Sequence, residues 1–141
     1  MAKLKDLLTF QRDNAEKLEA LLEGEMIAIT QRQSTDIERI AKDKVSLIDT
    51  LSQTDTRIAQ HPDLPSLESD DELASIVTHI KSTIERCQAQ NALNGEALNR
   101  AQISFNKMRN LMQQSQGKAG MTYNAEGRTS NLSTLGTNIK A

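Results

Sequence analysis

From Leu4 onward, apolar residues return at helical spacing. Leu4, Leu8, Ala15, Leu18, Leu22 and Ile29 keep a three–four rhythm, with Gln11 and Glu25 as polar exceptions. Leu7 and Leu21 widen that stripe to the breadth of a bundle helix, predicted over about residues 3–32. Gly24 falls inside it and should cost about 1 kcal/mol relative to Ala without ending the helix. Thr35-Asp36-Ile37-Glu38 then reads as a capping box, in which the hydroxyl and the carboxylate each satisfy a free backbone N–H. Behind it Ile37, Ile40, Ala41, Val45, Leu47, Ile48, Leu51 and Ile58 predict a second helix over about residues 35–60. Glu38 and Lys42 on its outer face form a favourably oriented i,i+4 pair.

Both prolines fall in His61-Pro62-Asp63-Leu64-Pro65-Ser66, where the helix must stop. Ser69-Asp70-Asp71-Glu72 offers a further capping box, with acids in the first turn where the helix dipole favours them. The third helix, about residues 70–115, carries Leu73, Val77, Ile80, Ile84, Cys87, Asn91, Asn94, Leu98, Ala101, Phe105, Met108 and Met112. These alternate in steps of four and three, the period of a coiled-coil seam. Asn91 and Asn94 are its polar members and Gly95 follows them, which reads as a register device or as a point where the helix bends.

After Gln116 the composition changes. Gly117, Gly120, Gly127 and Gly136 sit among Ser, Thr and Asn, so burial offers little to offset ordering entropy. The expectation is an all-α protein: an antiparallel helical hairpin or three-helix coiled-coil-like bundle over 1–116, and a flexible tail over 117–141.

Helix lengths carry a functional consequence. Short connections send the first helix up, the second down and the third up again. The third should then overshoot the first by roughly 20 Å, starting near Arg100. Ala101, Phe105, Met108 and Met112, with Leu111 beside them, are stranded there, and together with Leu98 they form the candidate partner-binding row, because an apolar stripe without an internal partner is an interaction surface. Unbranched methionine suits a surface that must adapt to different side chains. A homodimer closed through the same stripe, as in a structural coiled-coil protein, is the alternative.

Composition narrows the classes. Aromatic residues are 2% of the 141-residue chain and charged residues 26%, a balance that favours rods and bundles. With a net charge of −2 and no aromatic platform, nucleic-acid binding is not expected. No apolar run approaches a membrane span, and charges near Met1 do not resemble a signal peptide, so the expected location is the cytoplasm. Cys87 is the single cysteine, His61 and His79 lack companions at metal-ligand spacing, and no phosphate loop or nucleophile elbow occurs. No catalytic residue, metal or cofactor is expected.

Three segments add a resemblance. Ala41-Lys42-Asp43-Lys44 running through Leu47 to Leu51, Asn91-Ala92-Leu93-Asn94-Gly95, and Met121-Thr122-Tyr123-Asn124-Ala125-Glu126-Gly127 together resemble the FlgN family of flagellar export chaperones. Asn124 stands where that family usually has Gly after the tyrosine. The resemblance implies a cytoplasmic type III secretion chaperone. Its clients would be the C-terminal helical segments of the hook–filament junction proteins FlgK and FlgL. It further implies that Tyr123 contributes to docking at the export gate protein FlhA.

Overall fold

A computed structural model describes residues 2–115, 131–134 and 137–140. Three helices follow the three predicted stretches: α1 (Leu4–Thr30), α2 (Ser34–Ala59) and α3 (Asp71–Ser115). They form an up–down–up bundle in which α2 and α3 both pack on α1. The core is built from the predicted stripes. Leu8, Leu18 and Leu22 of α1 meet Ile48 and Leu51 of α2 and Ile80 and Ile84 of α3, all fully enclosed. Each such side chain contributes about 1.5–3 kcal/mol by leaving water.

The helix ends differ in detail from the capping boxes. α2 begins at Ser34, with Gln33 before it and no side-chain cap, so Thr35 lies inside the first turn. The chain reverses between α1 and α2 by a backbone device instead. Arg32 adopts a left-handed φ of 55°. The Gln33 N–H then reaches back to the Ala28 carbonyl (2.9 Å) and the Arg32 N–H to that of Ile29 (3.1 Å). This is a Schellman closure, which satisfies the last carbonyls without a side chain. At α3 the cap is Asp70 rather than Ser69, its Oδ1 accepting from the Glu72 (3.0 Å) and Leu73 (3.2 Å) N–H groups. The proline segment forms a short 3-10 turn, Leu64–Leu67. His61 ties that connection to the start of the chain. Its Nδ1 accepts from the Asp63 N–H, which leaves Nε2 to donate to the Ala2 carbonyl at 2.8 Å.

In α2 the buried positions include Lys44, while Val45, predicted for the stripe, is exposed. Within the stretch expected to be a flexible tail, β1 (Asn131–Thr134) and β2 (Thr137–Lys140) pair antiparallel, Leu132 opposite Ile139. β1 runs beside α2 and β2 beside α3.

Candidate functional site

α1 and α3 run parallel, and two hydrogen bonds fix their offset. The Cys87 thiol reaches the Ala15 carbonyl at 3.8 Å, and Asn94 Nδ2 donates to the Leu22 carbonyl at 2.7 Å, both across 72 residues. That offset places Thr30, the last residue of α1, level with Gln102. Outside the interface the two helices are braced by Lys5–Glu72 (2.7 Å), Glu16–His79 (2.9 Å) and Glu19–Arg86 (2.7 Å). From Gln102 to Ser115, α3 continues without α1 beside it for about 20 Å.

A polar layer lies just below this level. Lys44 Nζ donates to both carboxylate oxygens of Glu25 (2.9 and 3.1 Å) and to Asn91 Oδ1 (3.0 Å). Asn94 Nδ2 also donates to Glu25 Oε1 (2.9 Å), and Gln90 Nε2 donates to Asn94 Oδ1 (2.8 Å). The Lys44 and Glu25 side chains are 9% and 5% exposed, so the pair is desolvated and each charge depends on the other. Ala28, Ile29 and Ile40 lie buried on the far side of this layer and stand apart from the main core. Asn94 is the last buried residue among the described side chains of α3.

Beyond it the predicted row divides in two. Leu98 and Ala101 are half-buried, because the tip of the α1–α2 hairpin reaches them. With Ile29, Ile37, Gln102 and Asn106 they line an open groove of about 280 Å³. They are therefore the floor of a groove and not part of a free overhang. Asn106 Oδ1 in that lining is buried with no hydrogen-bond partner among the described residues. Farther along, Met108, Leu111 and Met112 are 54%, 66% and 56% exposed. The Phe105 side chain and Tyr123 lie outside the described residues.

The Asn91–Asn94–Gly95 segment does not break α3, which is continuous through it. A Cβ added at Gly95 would meet nothing within 4 Å, so no close backbone approach requires glycine there.

Cys87 is not set up as a nucleophile. Burial, helped by the Glu19 carboxylate and opposed by Arg86, pushes the Cys87 thiol up to about 12, the reverse of nucleophile activation. The described residues hold no group of His, Cys, Asp or Glu able to bind a metal, and no helix among them is long and apolar enough to cross a membrane.

Two features were missed from sequence. Glu25 stood out only as an exception on an apolar face, and Lys44 was overlooked because Val45 beside it looked like the stripe residue. Charge distribution was the second. Of the chain's 19 acidic residues only Glu126 lies beyond Glu96, whereas Arg100, Lys107, Arg109, Lys118, Arg128 and Lys140 all do. A near-neutral total conceals an acidic bundle joined to a basic C-terminal part.

In class the chain is a three-helix bundle with a buried polar layer, a groove at its tip and an apolar helical extension. The chain belongs to the FlgN family: the family model described as FlgN protein matches residues 1–131. FlgN is a family of chaperones and not of enzymes, and membership makes this chain a flagellar export chaperone in class, one that binds flagellar substrate proteins. No curated protein and no solved structure matches the chain.

Proposed function

We propose that this chaperone binds the C-terminal helical segments of the hook–filament junction proteins FlgK and FlgL, prevents their premature assembly, and delivers them to the export gate protein FlhA. The observation that carries the reading is the exposed row of Met108, Leu111 and Met112 on a helix that runs on past the end of α1. A client helix laid along it would add its own i, i+3, i+4, i+7 stripe. Several hundred Å² of apolar surface at about 25 cal/mol per Å², less the cost of association, supports micromolar to nanomolar binding. Leu98 and Ala101 would seat one end of the client and Phe105 would continue the row. Holding the client requires no ATP, since occupancy alone lowers the concentration of assembly-competent protein. Release then needs a competing site, and Tyr123 is the proposed contact through which the tail engages FlhA.

Calorimetry with the isolated C-terminal segments of FlgK and FlgL tests this. Met108→Asp should weaken binding by at least 30-fold while leaving helicity and mass unchanged. Conversion of a stable dimer to monomer, with client capture intact, would instead establish a self-associating coiled-coil protein.

A further inference from the structure

The extension of α3 differs from the rest of the bundle in charge as well as exposure. Between Glu96 and Ser115 it holds Arg100, Lys107 and Arg109 and no acidic residue. At 3.6 residues per turn, Arg100 and Lys107 stand on one flank of the Ala101–Met108–Met112 row and Arg109 on the other. The apolar row is thus edged on the first flank by Arg100 and Lys107, along the length that α1 leaves uncovered. Arg100 is answered by Glu96 at 2.6 Å, an exposed i,i+4 pair that gives way readily to a better partner.

We infer that the occupant of this surface is an acidic amphipathic helix, whose carboxylates run along the Arg100–Lys107 edge of the apolar row and whose leading aliphatic side chain fills the groove between Ile29, Ile37, Leu98 and Ala101. The inference rests on the docking reading above and adds the sign of the partner and the point where it enters. Charge complementarity along that edge selects the partner and speeds its encounter. The groove supplies the end stop, because the Lys44–Glu25 layer beneath it is already satisfied and admits nothing further. Asn106 Oδ1 offers the groove an acceptor for a donor on the incoming helix. A flat anionic surface such as a membrane fits less well. It would meet Asp36 and Glu38 at the start of α2 together with the cations of α3, whereas a single helix meets the extension alone.

The test uses the full chain and two synthetic 18-residue amphipathic peptides with the same leucine stripe, one flanked by glutamates and the other by lysines. Fluorescence anisotropy should give at least tenfold tighter binding of the glutamate peptide at low salt, with the advantage shrinking as salt screens the flanks. Combined Arg100→Glu and Lys107→Glu substitution should reverse the order, with helicity by circular dichroism as the control for folding. Ile37→Glu, at the groove rim, should weaken the glutamate peptide without touching the cations. Equal affinity for the two peptides, both lost in Met108→Asp, would overturn the charge inference and leave the docking reading standing. Failure of the glutamate peptide to bind would overturn the inference too, and the FlgK and FlgL titration would then judge docking separately. Binding to phosphatidylserine vesicles through Arg100 and Lys107, without discrimination between peptides, would assign the cations to a membrane surface and overturn it as well.

Discussion

Lys44 and Glu25 illustrate how one residue can depend on a partner from another helix. Alone, a buried ammonium at the three-helix junction would be costly; paired with Glu25 and held by Asn91, it is tolerated. Lys44→Ala strands the Glu25 carboxylate, and urea unfolding should show a loss of about 3–5 kcal/mol. Replacing both together, Lys44→Met with Glu25→Leu, should recover most of that loss, since an apolar pair of similar volume needs no counter-charge. Recovery would identify the layer as a device for register and not a source of net stability. Cys87 makes a second prediction at this scale. Its thiol ionises in the folded bundle only near 12, against an ordinary value of 9.0. Unfolding above pH 9 therefore releases a proton that the native state retains, so its stabilising contribution is complete below pH 9 and disappears as pH rises towards 12. Stability measured across that window should fall more steeply in the native sequence than in Cys87→Ala.

The helices themselves were legible because their apolar periods are long and almost unbroken. Ile80, Ile84 and Cys87 of α3 lie buried as the seam requires, and the two prolines mark the break before it. Helix starts were less legible, because capping boxes are local patterns that nearby alternatives can displace. The left-handed φ of Arg32 lets the backbone alone close α1, Thr35 falls inside the first turn of α2, and Asp70 takes the cap of α3 by sitting one residue closer to it than Ser69. The Lys44 layer was partly hidden, since a charged residue on an apolar face reveals its role only when the opposing charge is in view. Gly95 permits a prediction for α3 as an element. With open space where a Cβ would stand, Gly95→Ala should gain about 1 kcal/mol of helix stability, readable as a rise in Tm. Unchanged client affinity in that variant would separate Gly95 from binding, and a marked loss would show that α3 must bend there.

Over the whole molecule, register and charge act together. The 72-residue offset between α1 and α3 determines where cover ends, and the acidic and basic residues divide close to the same place. The first followed from helix lengths in sequence, to within a turn. The second was concealed because summation cancelled two opposite regions. Ala101, expected in the overhang, instead joins Leu98 in the groove for a related reason: lengths alone do not show how far the α1–α2 turn projects.

Hydrogen–deuterium exchange of the full chain, with and without the C-terminal segment of FlgK or FlgL, tests most directly whether the uncovered end of α3 is where clients bind. Amides from Leu98 to Met112 should slow on mixing, while those of α1 below Glu25 keep their rates. Protection confined to α1 and α2, with the end of α3 exchanging as fast as before, would contradict the account.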